Sequence, residues 1–217
     1  MTILRIRLLS NTCFASSSLT WMNDADICQD LDDLGLPKIP GRSLKGLLTE
    51  EASILLRAMK KDEKWVKICI DLFGSAGADD ASLLRIADAR IESSARQALV
   101  SCVDAGGSLQ RLAARATTCL LSQTRIDPIT GSAATGSLRT ARVAMKGLQL
   151  EAEVSFNSKD LKKASEDHQA FFATAVSMVR RGGVHRNRGW GKLGCHVFED
   201  GVDVTEKWCQ PVLKILS

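Results

Sequence analysis

The chain has 217 residues, 45% of them apolar and 25% charged, with a formal net charge of +4. That is enough for one large domain with a proper core, in proportions ordinary for a soluble globular protein. No apolar run reaches the roughly 18 residues of a membrane helix, so no membrane contact is expected.

Residues 3–9 alternate apolar and polar side chains and predict a half-buried strand. Arg5 and Arg7 interrupt what would otherwise be the apolar centre of a signal peptide, so the cytoplasm is the expected compartment. Residues 10–39 are polar, acidic and irregular and read as a long loop, a kind usually kept for function. Pro40-Gly41 then punctuates the chain, and Ser43 is placed to cap a helix over 44–60. Leu44, Leu47, Leu48, Leu55, Leu56 and Met59 share one face of that helix. A second helix is predicted over 63–73, stopped at Gly74. Residues 75–82 read as a loop and 83–92 as a strand. Residues 94–122 favour helix with a break near Gly106-Gly107. Residues 124–146, with Pro128, Gly131 and Gly136, suggest an extended hairpin, and 147–156 a strand of period 2. A helix over 160–181 carries Leu161, Ala164, Phe171, Phe172, Ala175 and Val179 on its apolar face, and 193–198 is the last core strand. This order fits an α+β fold of the ferredoxin-like or RNA-recognition type with long insertions, as a single domain over residues 1–217.

The seven cysteines are odd in number and contain no C-x-x-C, which predicts reduced thiols in place of a disulfide framework or zinc knuckle. Charge is sorted into patches. Residues 180–192 (RRGGVHRNRGWGK) hold Arg180, Arg181, Arg186, Arg188 and Lys192 without an acid, and residues 136–146 hold Arg139, Arg142 and Lys146 without one. Residues 24–33 hold five aspartates and no base.

Three stretches carry chemistry. In Ile39-Pro40-Gly41-Arg42-Ser43-Leu44-Lys45-Gly46, a glycine and a hydroxyl at a helix start expose amides that can hold an anion beside Arg42 and Lys45. The alternative is an ordinary cap with two exposed bases. In Arg180–Lys192, four glycines let backbone approach a ligand, five cations suit phosphates, and His185 and Trp190 can stack on bases. The alternative is a solvated loop with Trp190 in the core. A Walker loop is excluded because Leu193, not Ser or Thr, follows Lys192. Asp24 and Asp26 could hold Mg²⁺ through oxygen ligands, although the spacing fails the EF-hand pattern; the alternative is an inert acidic loop. Asp30, Asp32 and Asp33 are expected to be solvated.

Taken together, these segments resemble the RAMP superfamily of CRISPR proteins. Residues 35–48 (GLPKIPGRSLKGLL) are similar to its G-x-P-x-I-P-G-x-S-L-K-G signature, and residues 182–194 (GGVHRNRGWGKLG) to its C-terminal glycine-rich loop. Residues 124–147 (TRIDPITGSAATGSLRTARVAMKG) look like the β-hairpin thumb of type III backbone subunits. The wording of the first motif is closest to type III-D-like subunits. The resemblance implies a modified RNA-recognition fold whose partners are CRISPR guide RNA, single-stranded target RNA, other RAMP-type subunits and the large polymerase-like subunit. It implies RNA contacts, mainly to the RNA backbone, from Arg42, Ser43, Lys45, Gly46, Arg125, Ser137, Arg139, Arg181, Gly183, His185, Arg186, Arg188, Trp190 and Lys192, with sequence read by base pairing. For all of these to form one positive track, Arg42 and Lys45 must share a surface with Arg186 and Arg188. The resemblance also implies metal-dependent cleavage of target RNA, with Asp26, and Asp24 second, as catalytic and Mg²⁺-binding residues. A purely structural guide-binding subunit and a nucleotide-binding enzyme on a ferredoxin-like fold remain the alternatives. A guide-processing nuclease is disfavoured because the histidines, His168, His185 and His196, all lie late in the chain.

Overall fold

A computed structural model describes residues 1–15, 25–60, 62–75, 82–101, 108–156 and 165–216. Alternation along β1 (Thr2–Leu8) places Leu4, Ile6 and Leu8 in the core and leaves Arg7 exposed. After β2 (Ile27–Cys28) come α1 (Gly41–Ala58), α2 (Glu63–Phe73), β3 (Leu84–Ile86) and β4 (Arg90–Ile91). Then follow α3 (Ser93–Ser101), α4 (Ser108–Thr117), β5 (Thr118–Gln123), β6 (Arg139–Ala144) and β7 (Gln149–Phe156). The chain ends with α5 (Glu166–Met178), β8 (Leu193–Glu199), β9 (Val202–Asp203) and α6 (Thr205–Leu216).

The main sheet runs β3-β7-β1-β8-β9, every pair antiparallel, with β4 also on β7. With the small insertions removed, β1-α1-β3-β7-α5-β8 is the ferredoxin-like strand order, as the sequence predicts. Leu150, Ala152 and Val154 of β7 and Leu193 and Val197 of β8 meet the helices on one face. α5 is buried along most of its length because α1, α2 and α6 enclose it, with Phe171 stacked on Trp65 and Phe172 edge-on to Phe156. A second sheet, β2-β6-β5, is built on the antiparallel β5–β6 hairpin, with β2 parallel to β6. Beneath it lies a smaller apolar cluster of Cys13, Ala141 and Val143, with Trp190 and Val184 packed against it.

Several local expectations are corrected. α1 starts at Gly41 with Pro40 as its N-cap, so Ser43 lies inside the first turn and caps nothing. Residues 10–39 are not uniformly irregular: β2 and bridges such as Thr12 to Ala144 tie this stretch to the hairpin. The strand over 83–92 is split into β3 and β4. The helix expected to reach residue 122 ends at Thr117, and Thr118–Gln123 pairs with β6 instead. Its break at Gly106-Gly107, and Leu161 and Ala164 of the expected 160–181 helix, lie outside the described residues. Among those described, no helix is long and apolar enough to cross a membrane.

Among the described residues none of the six cysteines is joined in a disulfide, and burial pushes the Cys13 and Cys195 thiols up to about 12. Cys102 lies outside them.

Candidate nucleic-acid interface

The glycine-rich segment is a closed loop. Its stem is held by a bridge between Arg181 and Lys192 and by the Gly182 amide donating to the Gly191 carbonyl at 2.8 Å. Gly183 and Gly191 sit at φ +82° and +71°, where a Cβ would lie 2.3 Å from the Cys13 carbonyl oxygen and 2.0 Å from that of Gly182. These glycines are thus required by backbone packing inside the protein, not by an approaching ligand. Beyond the stem, Val184 and the half-buried Trp190 pack on the small sheet, and His185 meets the Trp190 ring edge-on at 5.2 Å. This anchorage swings the loop against the hairpin.

The result is a groove of about 710 Å³ that the sequence could not draw. Arg125, Ser137 and Arg139 line it from the base of the hairpin, His185 and Arg188 from the glycine-rich loop, and Ile27 from β2. The Ser137 hydroxyl shares a hydrogen bond with Thr124 at 2.7 Å and accepts from the Arg125 amide at 3.2 Å, closing the hairpin neck below the arginines. Arg125, Arg139 and Arg188 are all exposed. Three guanidiniums around a concave surface suit phosphates, which they can grip bidentately.

Asp26 does not line the groove itself but directly precedes Ile27, which does. Its Oδ2 accepts the Thr140 amide at 2.7 Å and the Thr140 hydroxyl at 3.2 Å. The Thr140 amide, aided by the hydroxyl and by the Arg139 charge, holds this exposed carboxyl below its ordinary range. Asp26 is therefore ionised at neutral pH and ties the β2 loop to β6. Asp24, the other candidate ligand, lies outside the described residues. Among those described, no three His, Cys, Asp or Glu side chains gather as a cage for a metal ion.

Of the remaining aspartates, Asp33 is exposed as expected, whereas Asp32 and Asp30 are not. The Asp32 carboxylate is fully buried, accepts the Leu34 and Leu36 amides at 2.9 and 3.0 Å, and pairs with Arg96. Asp33 is exposed but lies 3.3 Å from Arg96, and half-buried Asp30 neighbours Lys38. Buried Gln29 completes the loop: its Oε1 accepts the Phe14 amide, and its Nε2 donates to the Asp30 and Lys38 carbonyls.

The α1 motif takes a different role from the one expected. The Gly41 amide donates to the Asp88 carboxylate at 2.9 Å, so the helix start already holds an internal anion. The backbones of Ile39 and Ala89 bond reciprocally alongside it. Lys45 turns away and bonds Ser82. It lies about 140° around the helix from Glu50, which adjoins the glycine-rich loop. Lys45 thus does not join Arg186 and Arg188 on one track. Arg42 and Gly46 are exposed, with the Arg42 charge acting on Asp30, and Ser43 is half-buried in the first turn. Arg186 forms a two-pronged pair with Glu50 at 2.8 and 2.9 Å. Arg181 donates to the Arg186 carbonyl, and Lys192 is exposed. Arg142, read from sequence as part of a basic surface, is buried and donates to Thr118.

Comparisons place these features in context. The model of the RAMP superfamily matches residues 21–194. No curated protein matches the chain. A chain of the cryo-EM structure of type III-B Cmr-beta in its apo state superposes with a TM-score of 0.67 at 15% identity, over 93% of this chain and 98% of that one. A chain of type III-B Cmr-beta bound to cognate target RNA gives 0.63 at 16% identity, with the same coverage. Both share the fold; they come from type III-B, so the narrower likeness to type III-D subunits gains no support from them.

Proposed function

The chain belongs to the RAMP superfamily, and on that premise we propose that it is a cytoplasmic guide-RNA-binding backbone subunit of a type III CRISPR interference complex. The observation that carries this reading is the convergence of Arg125, Arg139, His185 and Arg188 from two distant segments on one groove. Such a surface holds phosphates and shape while base pairing supplies sequence. The single domain would present its hairpin as the thumb, and target RNA, neighbouring RAMP-type subunits and the large polymerase-like subunit are the partners this role requires. Its test is binding of labelled single-stranded RNA across a salt series. Arg125→Ala, Arg139→Ala and Arg188→Ala together should weaken binding and flatten the salt dependence by about two units, at roughly 0.7 per phosphate lost. A mononucleotide-binding enzyme on this fold would show neither effect.

The finer reading adds cleavage of the bound target. Mg²⁺ takes one or two carboxylates together with water and RNA phosphates, and the exposed, ionised Asp26 meets that small demand. A bound Mg²⁺ would supply charge neutralisation at the scissile phosphate. The arginines of the groove would hold the flanking phosphates while the 2′-hydroxyl of a splayed nucleotide lies in line with the adjacent phosphorus. As the P–O2′ bond forms and P–O5′ breaks, the 2′-hydroxyl gives up its proton and O5′ takes one up. The products are a cyclic phosphate and a 5′-hydroxyl. A second reading, a non-catalytic subunit, is favoured by the two hydrogen bonds that Thr140 donates to Asp26, which explain that residue as a loop tie. Asp26→Ala and Asp24→Ala in the assembled complex with Mg²⁺ separate the two. Loss of regular cleavage with guide binding retained supports catalysis; unchanged cleavage sites remove it.

A further inference from the structure

We propose that Glu50 is a positioning residue for the RNA groove, acting through Arg186, and that Arg186 is a strut in place of a phosphate contact. This rests on the RNA-binding reading above. The turn over residues 184–190 carries both groove-lining groups of the glycine-rich loop, His185 and Arg188. His185 holds a positive φ of 55°, and its carbonyl accepts the Arg188 amide at 2.7 Å, so the orientation of one group sets that of the other. On one side the turn leans on the small sheet through Val184 and Trp190. On the other, its side-chain tie to α1 is the fork between Arg186 and Glu50.

The fork satisfies both Glu50 oxygens and two Arg186 nitrogens. The Arg186 carbonyl meanwhile accepts from Arg181, which ties the turn back to its own stem. Arg186 holds the Glu50 carboxyl below its usual range and is itself raised by Glu50. Neighbouring Glu51 is raised, first by burial and then by the Glu50 charge, and it is Glu50 whose two oxygens meet the guanidinium. A two-pronged pair fixes angle as well as distance. It therefore sets how the turn stands on α1, and with it where His185 and Arg188 point.

The inference makes a prediction of unusual sign. Glu50 is an anion beside a site for a polyanion, so through-space electrostatics alone predicts that Glu50→Gln tightens RNA binding. A positioning role predicts the reverse. The experiment uses the full chain with labelled single-stranded RNA of mixed sequence, across a salt series, with thermal unfolding as a control for folding. Glu50→Gln should bind roughly two- to fivefold more weakly, the range an exposed ion pair supports. Amide exchange in residues 184–190 should quicken in the same variant. Arg186→Lys keeps the charge but loses the fork and should weaken binding similarly. The swap of Glu50→Arg with Arg186→Glu should restore binding to within about twofold of the wild type, with its salt slope. Were Arg186 a phosphate contact, the swap would set an acid against RNA and bind like Arg186→Glu alone. That outcome, or Glu50→Gln binding as tightly as wild type or tighter, overturns the inference while the RNA-binding reading stands. Absence of RNA binding in the wild type overturns that reading, and the inference with it.

Discussion

Replacing Asp32 with alanine should be among the most damaging changes in the acidic loop, although nothing in its local sequence marks it out. The carboxylate has no exposed surface, and its Arg96 partner is 18% exposed. Removal leaves the Leu34 and Leu36 amides without their acceptor and a largely buried guanidinium with only the exposed Asp33 carboxylate as counter-charge. Losing one partner of such a pair costs roughly 3–5 kcal/mol, because the other charge stays buried. For a chain of this size each kcal/mol moves the melting temperature by about 2–4 °C, so the expected fall is roughly 6–20 °C. Asp33→Ala serves as the internal comparison. Its carboxylate is 71% exposed and meets the same Arg96 at 3.3 Å, which limits the loss to about 0–1 kcal/mol. Urea and thermal unfolding of both variants measure the difference. The double variant Asp32→Leu with Arg96→Met should recover much of the loss, since an apolar pair replaces a desolvated ionic one. If Asp32→Ala unfolds within about 1 kcal/mol of Asp33→Ala, the argument from burial is wrong.

Three further outcomes follow from the geometry. The Asp26 carboxyl should titrate below the ordinary aspartate value of about 3.9, and Thr140→Val should keep most of that depression, because the Thr140 amide is its larger cause. Since the folded value is lowered, the tie between loop and hairpin is fully present above the unfolded value and is lost only as pH falls through the folded one; carboxylate NMR titration checks this. Gly183→Ala should cost about 2 kcal/mol or more, from a Cβ 2.3 Å from the Cys13 carbonyl oxygen added to backbone strain at φ +82°, and should weaken RNA binding. Gly189→Ala, at φ +91° but with open space around it, should cost about 1 kcal/mol, as thermal unfolding would show. Cys13, buried and raised to about 12, should resist thiol labelling at pH 8 until the chain unfolds, which mass spectrometry of labelled peptides can follow.

The sequence by itself determined the order of the core elements β1, α1, β3, β7, α5 and β8 and the basic glycine-rich loop, because these depend on local periodicity, glycine placement and charge density; it missed β2, β9 and α6. It also carried the family, through motifs kept in their order. Thr118–Gln123 was misread as helix because its apolar residues suit either period. Pairing with Arg139–Ala144, supplied from elsewhere in the chain, decided for strand. Only the tertiary structure could assign roles among chemically equal residues. Asp26 is exposed and bonded to Thr140 while Asp32 is buried with Arg96; Arg188 lines the groove while Arg186 is held by Glu50, 136 residues earlier. Lys45, inside a motif that reads as anion-binding, bonds Ser82 instead. The physical reason is common to all of these cases. Whether a charge is free, paired or buried depends on groups brought beside it by folding, and those groups leave no trace in the neighbouring residues.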